Sequence, residues 1–262
     1  MMNRIKANGI DINYKLEGPA DAPVLMLSNS LLTDCGMWDF QVPVFTQKYR
    51  LLRYDSRGHG GTQATSGPYS MDMLVADVVG LLDALAIQNV HFLGLSKGGM
   101  IAQLLASRHG DRLLSVSLCD TACQIPPPSV WDDRIKMAQA KGTSAFVQPM
   151  TERWLTQGYR ERHPEILEKL GVMISRTSVD GLAGCAHAIK NMDHLPILCT
   201  IKVPTLIVVG EHDIGTPVSA AEVLHREIRQ SKLIVIKQAA HLTNIEQPQT
   251  FNKSVLDFLE AS

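Results

Sequence analysis

The sequence has no run approaching the ~20 consecutive apolar residues that a membrane crossing needs. Its opening stretch, MMNRIKANGIDINY, turns polar before an apolar segment develops. There is no surplus of charge either: 25 basic and 26 acidic side chains leave a formal charge of -1. An overall positive field that would gather nucleic acid or an anionic membrane is therefore excluded. The five cysteines, at 35, 119, 123, 185 and 199, form no C-x-x-C pair and are odd in number. That is a poor disulfide framework in a chain large enough to stabilise its own core, and it points to a reducing, cytoplasmic compartment. Metal-ligand clusters such as H-E-x-x-H, the G-x-x-x-x-G-K-[ST] phosphate loop and internal repeats are all missing. No metal, no cofactor, no nucleic acid and no membrane partner is expected, and oligomeric state leaves no readable signal. The partner expected is a small-molecule substrate held at a local site.

What is present is 262 residues, 45% hydrophobic against 19% charged, enough for one large globular domain or two small ones. Residues 10–17, IDINYKLE, alternate apolar and polar, which predicts an outer antiparallel strand paired with 3–7 across an Asn8-Gly9 turn. Short apolar runs at 24–28, 50–54, 90–94 and 113–119 then alternate with segments long enough for crossover helices. This is the order of a parallel sheet covered on both faces. Helices are expected at 37–47, 71–86 with Ser70 as N-cap, and 97–109. Near residue 120 the rhythm stops, at Pro126, Pro127 and Pro128, and it resumes only with the strand at 204–210. Helices are expected between, at 129–141, 143–157, 163–175 and 178–190, and afterwards a helix at 217–229, a strand at 232–238 and a closing helix at 248–261. The division predicted is a core of 1–120 and 196–262 interrupted by a helical insertion at 121–195.

Gly94-Leu95-Ser96-Lys97-Gly98 lies directly after one apolar run and directly before a helix. This is the setting of a G-x-S-x-G nucleophile elbow, whose small flanking residues allow a turn tight enough to lift the serine hydroxyl out of the sheet. A serine is a weak nucleophile without a base to take its proton. His241 follows the last strand directly, a late position that none of the other eight histidines shares, and imidazole can both accept and return a proton near neutral pH. An acid must orient that imidazole. Asp213, just beyond the 204–210 strand, gives the order Ser96, Asp213, His241; Glu211 and Asp120 are its rivals, with strand-end hydrogen bonding as the alternative role for Asp120. Charge on the attacked oxygen calls for two N–H donors. The Lys97 backbone is one expected donor and Leu31, in the Asn29-Ser30-Leu31-Leu32 turn, the other, with Ser30 and Leu32 as neighbouring choices. The glycine-rich loop from Asp55 to Gly61 is expected to brace the site through Asp55 and Arg57, with direct substrate contact as the alternative.

The chain resembles the α/β-hydrolase fold family over nearly its whole length, and within it the 3-oxoadipate enol-lactonases. The resemblance rests on LSNSLLTDCGMWD (27–39), RYDSRGHG (53–60), GLSKGG (94–99), GEHD (210–213) and AAHLTNIEQP (239–248). It implies a mostly parallel eight-stranded sheet flanked by helices, with a helical lid inserted after strand 6. It also implies Ser96 as nucleophile, Asp213 as acid, His241 as base, and the Leu31 and Lys97 N–H groups as oxyanion donors. One departure is Lys97, where those lactonases usually carry methionine. Its ammonium is expected to stay hydrated while its backbone works, the alternative being a contact with a substrate carboxylate at the mouth. Trp131 and Trp154, with Met137, Phe146, Met150 and Met173, are candidates for an apolar roof, and Arg134, Arg153 and Arg176 for a carboxylate contact; ordinary helix packing is the alternative for each. The expected activity is hydrolysis of a small lactone or ester. Alternatives on the same scaffold are a carboxylesterase, another lactonase such as one acting on acyl-homoserine lactones, a C–C bond hydrolase, or a ligand-binding protein without turnover.

Overall fold

The structure, a computed structural model, describes residues 2–125 and 127–261; Pro126 of the proline tract lies outside them. Eight strands form one sheet: β1 (Asn3–Ala7), β2 (Ile10–Glu17), β3 (Val24–Ser28), β4 (Arg50–Tyr54), β5 (Val90–Leu95), β6 (Leu113–Cys119), β7 (Thr205–Gly210) and β8 (Ser231–Ile236). Their spatial order is β1-β2-β4-β3-β5-β6-β7-β8. Asn8 and Gly9 both take positive φ, 45° and 78°, the twist a two-residue hairpin needs, and they close the antiparallel β1–β2 pair. β2 also runs antiparallel to β4, and every pairing from β4 to β8 is parallel. β5 and β7 are buried at all their positions, as strands covered on both faces must be.

The covering helices begin with a short α1 (Val42–Phe45). The helix predicted over 37–47 is thus split: a 3₁₀ turn at Cys35–Trp38, capped by Asp34, precedes it, and Pro43 sits in the first turn of α1. α2 (Met71–Ala84) starts where Ser70 accepts from the Met73 N–H at 3.1 Å, and it buries Leu74, Val75, Val78, Leu81 and Leu82 along one stripe. α3 (Lys97–Arg108) follows β5 without a linker beyond Ser96.

Between β6 and β7 lie α4 (Pro128–Lys141), α5 (Val147–Trp154), α6 (Gln157–Arg162), α7 (Pro164–Arg176) and α8 (Val179–Lys190). Pro128 and Pro164 each sit at the first position of a helix, where the missing N–H costs nothing. The two ends of this insertion meet: Gln124 Nε2 donates to Asp193 Oδ1 at 2.9 Å and the His194 N–H donates to the Cys123 carbonyl at 2.9 Å. α9 (Val218–Glu227), α10 (Thr243–Glu246) and α11 (Pro248–Leu259) complete the chain around β8. Among the described residues no helix is long and apolar enough to cross a membrane.

Candidate active site

The carboxyl ends of β3, β5, β7 and β8 open on one side of the sheet, and a cavity of about 500 Å³ lies there under the insertion. Ser96 stands in its wall at φ 55°, ψ -112°, a backbone conformation that an L-residue holds only when its surroundings impose it. The imposing groups are identifiable. The Ser96 N–H donates to the Cys119 carbonyl at 2.8 Å, and the Ser96 carbonyl accepts from Thr121 Oγ1 at 2.8 Å and from the Met100 N–H at 3.0 Å. A Cβ at Gly94 would lie 2.2 Å from the Gly98 carbonyl oxygen, and one at Gly98 would lie 2.1 Å from the Ser28 carbonyl oxygen. Both flanking positions must be glycine for the turn to form.

His241 lines the same cavity, and Asp213 pairs with it from behind. His241 Nδ1 lies 2.8 Å from Asp213 Oδ2, with both side chains buried, and that pairing leaves Nε2 as the free ring nitrogen. Asp213 is itself held: the Gly215 and Thr216 N–H groups donate to Oδ1 at 2.7 and 3.0 Å, and Thr216 Oγ1 donates to Oδ2 at 2.7 Å. Burial pushes the Asp213 carboxyl up, but the charge and hydrogen bond of His241, joined by Thr216, bring it below the ordinary carboxylate value. Thr216 is a member of the site that the sequence reading missed. Its signal is the turn Asp213-Ile214-Gly215-Thr216, in which an acid side chain caps the N–H groups two and three residues on.

The rival acids have other work. Asp120, at the end of β6, accepts from the Gly210 N–H at 2.9 Å and from Thr243 Oγ1 at 2.5 Å, tying β6 to β7 and α10. Its burial and the neighbouring Asp213 charge drive its carboxyl well above the ordinary value, the opposite of Asp213. Glu211 pairs outward with Lys237 at 2.7 Å. Leu31 and Ser30 line the cavity, and the Ser30 N–H is directed to the Met37 sulfur at 3.4 Å. Among the described residues neither the Leu31 nor the Lys97 N–H is spent on a hydrogen bond within the protein. Both remain available as donors.

The Asp55–Gly61 loop braces this edge. Asp55 accepts from the Cys35 N–H at 2.8 Å, Asn13 Nδ2 at 2.6 Å and the Gly61 N–H at 2.8 Å, and Arg57 grips both oxygens of Asp77. Asp34, Cys35 and Asp55 also bring three metal-ligand atoms within 4.8 Å of one another. The set suits no cation: Asp55 is engaged by three N–H donors, and burial drives the Cys35 thiol upward, away from the thiolate a metal would need.

The insertion supplies the other wall. Trp131, Arg134, Met150, Arg153 and Trp154 all line the cavity, while Met137, Phe146, Met173 and Arg176 do not. Arg134 lies over the Trp131 ring at 4.5 Å, and burial, with Arg153 beside it, pushes it down to about 10. The acids of α4 are turned to other cations, Asp132 to Lys190 and Asp133 to Lys136. Residues beyond Asp213, from Ile214 to Val223, form a third side that sequence patterning did not indicate.

The hydrated position expected for Lys97 is not the one the fold provides. Its side chain is 0% exposed, and Nζ has no hydrogen-bond partner. Neither does it line the cavity among the described residues, so it holds no substrate carboxylate at the mouth. The first turn of α3 is buried along its whole circumference, which leaves an ammonium there no route to water.

Comparison with known proteins agrees with this architecture. Residues 23–148 match the model of the alpha/beta hydrolase fold, and residues 172–262 that of a TAP-like protein. The chain is 38% identical over 251 residues to 3-oxoadipate enol-lactonase 2 of Acinetobacter baylyi, covering 96% of this chain and 94% of that one. The crystal structure of the enol-lactonase from Burkholderia xenovorans LB400 superimposes with a TM-score of 0.96 at 38% identity, over 98% of this chain and all of that one. A thermophilic esterase from Thermogutta terrifontis, determined with malate bound, gives a TM-score of 0.92 at 27% identity over 100% of this chain and 98% of its own.

Proposed function

The chain belongs to the α/β-hydrolase fold family as a serine hydrolase related to the 3-oxoadipate enol-lactonases, and from that premise we propose that it opens a small, carboxylate-bearing enol-lactone through a Ser96–His241–Asp213 triad. The observation that carries the reading is the convergence on one cavity of strained Ser96 and of His241, itself paired with Asp213, together with Arg134 and Arg153.

Ser96 Oγ adds to the lactone carbonyl as His241 Nε2 takes its proton, and the Leu31 and Lys97 N–H groups stabilise the oxyanion. Asp213 keeps the proton of the resting imidazole on Nδ1 and stabilises the imidazolium. Collapse of the tetrahedral adduct breaks the ring C–O bond, and His241 returns the proton to the leaving enol oxygen. The freed enol becomes a ketone, which removes it from the reverse reaction. Water, deprotonated by His241, then releases the acid from Ser96. The helical insertion acts as a lid, with Trp131 and Trp154 as apolar roof and Arg134 and Arg153 holding the substrate carboxylate.

A second reading, a carboxylesterase, is favoured by the cavity volume of about 500 Å³, which leaves room beyond a small lactone. A paired assay separates the two. The first reading predicts faster turnover of an enol-lactone bearing a carboxylate than of a neutral ester. Arg134→Ala should cost the acidic lactone about 100-fold in kcat/KM, the scale of a charge-assisted hydrogen bond, and leave the neutral ester within about threefold. Equal losses on both would contradict the carboxylate contact.

A further inference from the structure

Lys97 is the anomaly of the site. An ammonium sealed from water without a counter-ion is costly, and the first turn of a helix, where the dipole is positive, is an unfavourable place for it. Three segments bring polar groups into its field: the loop after β4 contributes His59 and Asp55, α2 contributes Asp77 and α8 contributes Cys185. Neither acid is free to pair with it: Asp55 is held by three N–H donors and Asp77 by Arg57. His59 Nδ1 lies 3.0 Å from the Arg57 carbonyl, so Nδ1 carries the ring proton and Nε2 is a bare acceptor, likewise buried without a partner. Burial, with the Lys97 charge behind it, holds His59 well below its ordinary value and therefore neutral. Of the two unpartnered nitrogens, Lys97 Nζ is therefore the one able to carry a positive charge.

The same residue offers its backbone N–H to the oxyanion in the mechanism above. Its side chain thus places a group able to carry positive charge in the interior next to the nucleophile in sequence, where water screens it little. We propose that the Lys97 ammonium is an electrostatic positioning residue for acyl transfer, favouring the negatively charged tetrahedral adduct on Ser96 over the neutral ground state, so that turnover follows its protonation. This rests on the serine-hydrolase reading of the site. Burial pushes the amine below its ordinary 10.5, opposed by Cys185, Asp55 and Asp77.

The test uses a neutral ester, so that no substrate charge senses the lysine. Wild-type kcat should fall about tenfold on the alkaline side, the order of one partly screened charge, with KM unchanged. The midpoint should coincide with the titration of the Lys97 Nζ resonance in ¹⁵N-lysine-labelled protein, below 10.5. Lys97→Met should be flat in pH at the low plateau, and Lys97→Arg should lack the alkaline limb while staying above the Lys97→Met level. If Lys97→Met retains the alkaline limb or the full wild-type kcat, or if the Nζ resonance does not titrate where the limb lies, the proposal is overturned. Ser96→Ala separates the two levels. Lost turnover in that variant with an unaltered Lys97→Met profile overturns the lysine's role alone, whereas surviving turnover overturns the serine reading and this proposal with it.

Discussion

At the sheet edge a single added methyl would break the site, whereas on the insertion whole side chains can change and leave a cavity. A Cβ at Gly98 would stand 2.1 Å from a backbone oxygen. By contrast, Trp131 and Arg134 sit on α4, a helix whose outer positions are largely exposed and whose packing partner is α8. The difference is one of what holds each residue. Backbone hydrogen bonds between neighbouring strands fix Ser96, and strand ends fix Asp213 and His241, so their relation cannot drift without unmaking the sheet. The insertion is fastened where its ends meet and by helix packing, which tolerates exchange of shape. The proposed mechanism accordingly places chemistry at the edge and choice of substrate on the insertion.

Disabling the edge should hit every substrate alike, and that is the largest effect expected short of removing Ser96. Asp213→Asn, assayed on the acidic lactone and the neutral ester together, should lower kcat by about 10⁴-fold on both, because the amide cannot hold the imidazole in the required tautomer. A loss confined to one substrate would erase the distinction between the two regions. Arg134→Ala, with its smaller and selective loss, probes the other side of the comparison. The weakest effect is expected from the other buried acid of the edge. Asp120→Asn keeps an acceptor for the Gly210 N–H and touches no cavity group among the described residues, so kcat should stay within about threefold on either substrate while the melting temperature shifts by a few degrees. A drop comparable to that of Asp213→Asn would mean that the acid had been misassigned between β6 and β7.

The same contrast explains what could be read from the sequence. The elbow was legible because its constraint is local: two glycines at fixed spacing between an apolar run and a helix admit few other conformations. The hairpin at Asn8-Gly9 and the N-cap at Ser70 were legible for the same reason. Asp213 and His241 could be placed because each follows a strand by a few residues. The Lys97 side chain was misjudged because its surroundings come from the loop after β4, from α2 and from α8, far apart in the chain, and nothing near position 97 reports that they close over it. Arg153 and Arg176 were equal candidates for a carboxylate contact. Only the packing of α5 and α7 places the first in the cavity wall and leaves the second out. The wall from Ile214 to Val223 went unseen because its residues serve the site by where β7 ends, and Ile214, 71% exposed, carries no pattern of burial.

The central claim is that Ser96 is the activated nucleophile. Incubation with a fluorophosphonate, followed by peptide mass spectrometry and residual turnover measured on the same samples, tests it directly. The account predicts one phosphonyl group per chain, on Ser96, with turnover lost in proportion to labelling and no adduct in Ser96→Ala. Labelling at another residue that tracks the loss of turnover, or full turnover in fully labelled protein, would contradict it.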